Sequence, residues 1–372
     1  MTASSPASGI AELKVDGAFY GGWTSLRVSR SIEQMAGTFE LEVTEHWPGQ
    51  PLAAPIRPGH ACQVLLDGTP VITGYIDTVE PSYDANSHTV RVTGRDQTGD
   101  LVDCSAVHKG GQWHNVGIAT LARDLIAPFG IKLVIETDTG AAFSGHKIEP
   151  GETVFECLER AARMRALLLI SNPLGDLVIT RAGRSLVPVQ LEEGQNIKSA
   201  RGEFSWKDRF STYTVKGQDK GTDEWYAENA AHPSATVRDS AITRYRPLVV
   251  LAEEHGHGAT LRDRAEWEKN VRMGRGNRGS ITVQGWRHAG GDLWQPNSLV
   301  RVRSPLLWLD ADMLIVGCTW TLDERGTHTE LTIARREAFD LIEGIGRSKL
   351  SKKLNDKEQS EKKKKGDDWS ML

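Results

Sequence analysis

The residues best suited to chemistry in this chain are few, and their spacing serves chemistry poorly. His255 and His257, two apart in "EEHGHG" beside Glu253 and Glu254, offer two corners of a metal site. No third ligand stands at a supporting spacing, so a Gly-rich connector accounts for them better. Asp310 and Asp312 in "LDAD" have the form of a carboxylate pair for hydrolysis, yet alternate acids next to a turn require only adjacent water. "GRGNRG" is basic and Gly-rich, but it follows a helical pattern instead of opening one, which is the wrong order for cradling a phosphate. Cys62, Cys104, Cys157 and Cys318 contain no C-x-x-C pair and read as free thiols. With no G-x-S-x-G, H-E-x-x-H or P-loop either, the expectation is a protein that is not an enzyme and uses neither metal nor cofactor.

The elements that would carry any site are mostly strands. In "GTFELEVTE", Phe39, Leu41 and Val43 alternate with Glu40, Glu42 and Thr44, the period of a half-buried antiparallel strand. "CQVLL", "VITGYIDTV" and "HTVRVTGRD" follow, separated by Pro, Gly, Asn and Asp, so residues 1–105 are expected to form a first small β-barrel. The period then switches. Ile118, Leu121, Ala122, Leu125, Ile126 and Phe129 share one helical stripe, with Asn115 as the expected N-cap and Gly130 as the stop. Val154, Cys157, Leu158, Ala161 and Ala162 form a second stripe, and each helix leads into an apolar strand. Residues 106–185 are therefore expected to be an α/β insertion of two helix-strand units. Strand alternation returns over 186–340, the expected second β-barrel, interrupted by one helix around Leu261 to Arg272. Residues 341–372 are a Lys-rich tail that cannot bury a core alone.

With 372 residues, 25% charged residues and a net charge of -4, the chain is a multidomain protein without the basic surface of a dedicated nucleic-acid binder. Its N-terminus lacks a basic and an apolar segment, and no run of about 18 apolar residues occurs. Folding in a reducing cytoplasm and no membrane insertion are expected.

A repeat ties the two β regions together. Setting Val71–Val79 over Leu314–Leu322 matches Ile72 with Ile315 and Gly74 with Gly317, and setting His88–Asp96 over Thr329–Glu337 matches Val90 with Leu331 and Val92 with Ile333. The intervening turns then differ by two residues. Upstream, a proline-led strand begins at Pro58 and again at Pro296. Two barrels of one kind in a single chain suit a trimer, which then closes six near-equivalent blocks around an axis.

From Arg264 to Asp340 the chain resembles the tail baseplate hub proteins of contractile-tailed bacteriophages, of the kind found in phage Mu. The residues that carry the resemblance are Trp267 with Glu268, Gly285 with Trp286, and the turn Gly291, Leu293, Trp294, Pro296, Asn297 ahead of the closing hairpin. The resemblance implies a mainly β fold with an α/β insertion, assembled as a homotrimeric ring in the virion baseplate. It also implies as partners the tail tube or other baseplate proteins above and a separate central spike protein below, with DNA passing through an axial channel without specific binding. Walls of mixed or acidic character are expected for such a channel. Trp286 and Trp294 have two available roles, packing within the chain or contact between subunits. In the tail, Lys362 to Lys365, including Lys363, precede Asp367, Asp368 and Trp369, a combination suited either to docking a partner or to simple solvation. Two other classes remain on the sequence alone. A tail-associated peptidoglycan hydrolase would need paired carboxylates in a cleft, and a glycan-binding β-protein would need exposed Trp along a groove.

Overall fold

The computed structural model describes residues 9–44, 56–84, 88–163, 165, 167–183, 185–217, 234–251 and 258–339. Lys362, Lys363, Trp369, His255 and His257 lie outside the described residues.

Seven strands come first: β1 (Ala11–Val15), β2 (Ala18–Tyr20), β3 (Ser25–Ser31), β4 (Thr38–Thr44), β5 (Ala61–Leu66), β6 (Thr69–Tyr83) and β7 (His88–Asp96). Their order across the sheet is β3-β4-β7-β6-β5-β1-β2. The alternation seen in the sequence is realised: Leu26, Val28, Phe39, Leu41 and Val92 are buried on one face, while the residues between them face water.

The insertion follows, with α1 (Gly99–Asp103), β8 (Gln112–Val116), α2 (Ile118–Ile126), β9 (Leu133–Ile135), β10 (Phe143–Lys147), α3 (Val154–Arg163), β11 (Leu168–Ser171) and β12 (Leu177–Thr180). Both helical stripes expected from sequence are buried in one separate cluster, apart from Phe129, which packs at its margin. Gly117, not Asn115, takes the N-cap of α2. Asn115 instead sits inside β8 with a positive φ of 46°, a conformation Asn tolerates. Gly130, at φ 69°, ends the helical stretch as expected.

The second set comprises β13 (Ser185–Glu192), β14 (Ile197–Phe204), then β15 (Thr212–Lys216), β16 (Ser234–Arg238), β17 (Pro247–Leu251) and α4 (Gly258–Arg275), and finally β18 (Asn277–Gln284), β19 (Ser298–Ser304), β20 (Leu309–Asp323) and β21 (Gly326–Ala334). Strands β15, β16 and β17 do not join the large sheet: they form a three-stranded sheet within a unit of their own, Phe210–Lys269, inside the region read from sequence as one domain. Within it Tyr213, Val215, Val237, Leu261 and Ala265 make a small core.

The remaining strands of the second set run β14-β18-β21-β20-β19-β13, the order of β3-β4-β7-β6-β5-β1, but the last strand differs in direction: β13 runs parallel to β19, whereas β1 runs antiparallel to β5. The repeat is thus a five-strand antiparallel module used twice. Its register differs from the one the sequences suggest. Each hairpin carries one bulge, between Ile76 and Thr78 opposite Gly94 and Thr93, and between Ile315 and Gly317 opposite Ile333 and Thr332. Aligned on these bulges, Ile76 corresponds to Ile315 and Val92 to Leu331, and Tyr83 pairs with His88 as Leu322 pairs with Thr327. The two-residue difference between the turns therefore disappears. Pro58 and Pro296 keep the correspondence read from sequence, because Ala61 pairs with Tyr75 as Leu299 pairs with Leu314.

Neither module closes into a barrel among the described residues, contrary to expectation. The long β20 explains why. Its first half pairs with β19, and its second half, Gly317 to Leu322, pairs along the same edge with β3 of the other module. The modules therefore merge into one thirteen-stranded sheet, with a shared apolar core on one side.

Candidate functional site

No cleft among the described residues gathers reactive groups; what the fold builds is a wall and two edges. Eight strands, β14-β18-β21-β20-β3-β4-β7-β6, run side by side across both modules. One side of this run faces the shared core, and the other carries the alternate residues of each strand. Hydroxyls dominate its middle, where Ser29 and Thr319 meet across the seam between modules at 3.0 Å. Charges of both signs flank them and neutralise one another: Arg91 pairs with Glu40, Arg278 with Glu33, and Arg95 with Asp77 at 2.8 Å and Asp103 at 2.7 Å. The two carboxylates hold the Arg95 guanidinium well above its ordinary pKa, and Arg95 in turn lowers that of Asp103. Paired arginines on such a wall have little free charge to offer a polyanion.

Behind the wall, a buried polar cluster fastens three parts together. Arg30 of β3 donates from Nη2 to the Ser171 carbonyl of the insertion at 2.6 Å and from Nη1 to Gln295 of the second module at 3.2 Å. Asp96, at the end of β7, accepts from the Ser171 hydroxyl and the Gly37 N–H at 2.6 Å each, and from the Thr98 hydroxyl and N–H at 2.6 and 3.0 Å. Burial lowers the pKa of Arg30 and raises that of Asp96, while their mutual attraction opposes both shifts. Four donors saturate the Asp96 carboxylate, and the Ser171 hydroxyl is committed to it. Arg30 Nε is buried without a hydrogen-bond partner, but a guanidinium nitrogen is no nucleophile, so the cluster serves as a structural clamp and not as a reactive site.

Trp286 and Trp294 are buried in the core of the second module, at 2% and 3% exposure. Trp286 donates its indole N–H to the Thr321 carbonyl at 3.0 Å, and the turn between them is closed by the Trp294 N–H on the Trp286 carbonyl at 3.1 Å. Of their two available roles they fill packing within the chain, since a side chain so enclosed has no surface to give a neighbour. Asp310 and Asp312 both lean on Arg301, at 2.5 and 3.5 Å, as a surface ion cluster. Among the described residues no group of three or more His, Cys, Asp or Glu could hold a metal ion. No described helix is long and apolar enough to cross a membrane.

Sequence reasoning passed over the exposed aromatic group of the second module. Phe204 lies against Trp308 with ring centroids 5.5 Å apart, and Trp308 is 82% exposed. Leu306, in the same turn, and Trp206, just beyond β14, are exposed too. A turn is expected from sequence near "LDAD", without the apolar residues of "SPLLWLD" being singled out; the available signal was the proline that opens the segment.

Comparison with known proteins gives consistent matches along the chain. Family models match as the N-terminal domain of Mu phage baseplate assembly protein GpP-like proteins over residues 10–96 and the second domain of baseplate hub protein gp44-like proteins over 98–181. The third domain of NMB1110-like tail proteins matches 209–267, and the fourth domain of Mu phage baseplate assembly protein GpP matches 257–342. The baseplate hub protein gp44 of Escherichia phage Mu is 37% identical over 336 residues, 88% of each chain. The 43 kDa tail protein of prophage MuSo2 from Shewanella oneidensis has a TM-score of 0.81 at 40% identity, covering 90% of this chain and 100% of that one. A tail protein from Neisseria meningitidis MC58 has a TM-score of 0.76 at 26% identity, covering 90% and 99%.

Proposed function

The chain belongs to the family of the phage Mu baseplate hub protein, a structural component of the phage tail, and from that membership we propose that it forms a trimeric ring joining the tail tube to a central spike. In this reading three chains supply six modules around an axial channel, and DNA passes through without being gripped. The ring assembles in the host cytoplasm and ends in the virion of a contractile tail. It performs no catalysis.

The observation that carries this reading is the module used twice with the same strand order, already joined side by side within one chain through β3 and β20. A building block that repeats by strand addition continues until it closes, and a ring of six such blocks needs three chains. The mixed-charge wall supports the channel. Arg91, Arg95 and Arg278 are matched by carboxylates, so the expected DNA-facing surface has mixed character and no continuous Lys/Arg lining. The fitting experiment is class-averaged electron microscopy of the purified chain: a torus with a central hole supports the ring, and isolated single chains at micromolar concentration count against it. Copurification with the spike protein of the same phage tests the junction.

A further inference from the structure

Among the described residues, two sheet edges lack a neighbour where the repeated module has one. In the second module, the C-terminal half of β20 is covered by β3; in the first, the corresponding part of β6, from Thr78 to Ser82, has β7 on one side and no described strand on the other. Conversely, β3 has β20 beyond it, whereas its counterpart β14 forms the end of the sheet. The correspondence is fixed residue by residue. Val79 pairs with Val92, Val92 with Leu41 and Leu41 with Leu26; Cys318 pairs with Leu331, Leu331 with Ile281 and Ile281 with Ala200. Leu26 therefore corresponds to Ala200, Ser29 to Glu203 and Arg30 to Phe204, while Glu80 corresponds to Thr319.

Burial shows the same incompleteness. On β3 the core-facing Leu26 and Arg30 are buried, but on β14 the equivalent positions Ala200 and Phe204 are exposed, so this strand has water on both faces. On β20, Cys318 and Trp320 are buried, whereas of their counterparts on β6 Val79 is only half-buried and Pro81 is exposed. The aromatic group of Phe204 and Trp308 stands beside the open edge of β14. An apolar patch continuous with an unpaired strand edge is where a further strand is added.

Building on the ring reading, we propose that β14 of one chain adds antiparallel to the open part of β6 of the next, with Glu203 opposite Glu80. Phe204, with the tilted Trp308 ring beside it, then meets Val79, while the small Ala200 and Gly202 receive Tyr83 and Pro81. The two junctions of the ring thereby differ in chemistry: the one inside a chain is clamped by buried Arg30, and the one between chains is closed by an aromatic contact. The contact is head-to-tail, so it closes only as a ring. Two features keep it weaker than the junction within the chain. Pro81 cannot donate to the ladder, and Glu80 faces a like charge, relieved by Arg91 at 4.0 Å.

The test is cysteine crosslinking in the full chain carrying Cys104→Ser, which removes the exposed thiol. Glu80→Cys with Glu203→Cys places both thiols at facing positions about 4.5 Å apart between Cα atoms, within disulfide reach. Ser82→Cys with Glu203→Cys is two residues out of register, about 7 Å or more apart. Ser29→Cys with Thr319→Cys, the equivalent pair inside the chain, sets the yield expected for correct geometry. The proposal expects covalent dimers and trimers of the chain from the first pair at a yield near that control, and almost none from the second. Trp308→Ser and Phe204→Ser, both at exposed positions, should leave thermal unfolding unchanged when it is measured at a concentration where the chain is unassembled, and raise the concentration for half-assembly by about tenfold. If the chain has the mass of three yet the in-register pair fails to crosslink, or the shifted pair crosslinks as well, the ring stands and this interface is wrong. A single-chain mass without crosslinks overturns both.

Discussion

Arg30→Met should destabilise the large unit strongly, because Arg30 hydrogen-bonds from the first module to both the insertion and the second module. Methionine fills much the same space, so the loss is chiefly polar. It removes two hydrogen bonds from a charged donor, to Ser171 at 2.6 Å and Gln295 at 3.2 Å, and leaves Asp96 buried without its cation. Removing one member of a buried charge cluster costs about 3–5 kcal/mol. For a unit of this size that corresponds to a fall in Tm of roughly 6–15 °C. The pH dependence supplies an independent check. Burial holds the Asp96 pKa above the ordinary carboxylate range, with Arg30 among the groups opposing the rise. A carboxyl raised in the folded state binds protons more tightly than in the unfolded chain, so its contribution to stability declines as pH climbs from the ordinary range through the raised value. Without Arg30 the value rises further and the decline becomes larger. Thermal unfolding of wild type and Arg30→Met from pH 4 to 8 measures both effects, and Arg30→Met with Asp96→Asn should regain part of the loss at neutral pH. A change below about 1 kcal/mol with an unaltered pH profile would show that the cluster is not a clamp.

Other expectations follow from single positions. Gly74→Ala places a Cβ 2.0 Å from the Arg95 carbonyl oxygen and 2.4 Å from the Asp96 Cα, so it should cost about 2 kcal/mol or more in denaturant unfolding; an unchanged midpoint would show that β6 and β7 can separate freely. Burial pushes the Cys62 and Cys157 thiols up to about 12 and raises Cys318 as well, while Cys104 is exposed. A thiol reagent at pH 8 should therefore titrate one cysteine in the native protein and four after denaturation, and rapid native reaction of a second would contradict the packing. Deletion of residues 348–372 should abolish copurification with the spike protein if Lys362, Lys363 and Trp369 dock it; retained binding removes the tail from the junction.

The parts of the fold governed by local period were legible in the amino-acid sequence. Alternation in residues 38–44 and the stripes from Ile118 and Val154 became the strand and helices expected, because burying one face of a periodic segment leaves few alternatives. Pairing was harder to read. Matching the hairpins by residue similarity placed Gly74 on Gly317, but the bulges place Thr78 there, four residues on, since a strand tolerates a shift by an even number of residues without turning its apolar side outward. The expected closure of each barrel failed for a related reason: nothing local in "GCTWTL" says that its open side meets Leu26 instead of a strand of its own module. The functional surface was the least legible part. Trp286 and Trp294 stand out as conspicuous aromatic residues in a turn, yet they are core, and the exposed aromatic residues beside the sheet edge are Phe204, Trp206 and Trp308. Exposure of an aromatic ring depends on which strand lies beside it, which is a property of the sheet and not of the segment.

The central claim is that three chains close a ring, and the most direct measurement is the mass of the purified full chain by native mass spectrometry across a concentration series. A closed ring predicts a species at three times the 40.9 kDa chain mass that persists without passing to larger, open-ended assemblies. A single chain throughout, or a ladder of ever longer oligomers with no preference for three, would contradict it.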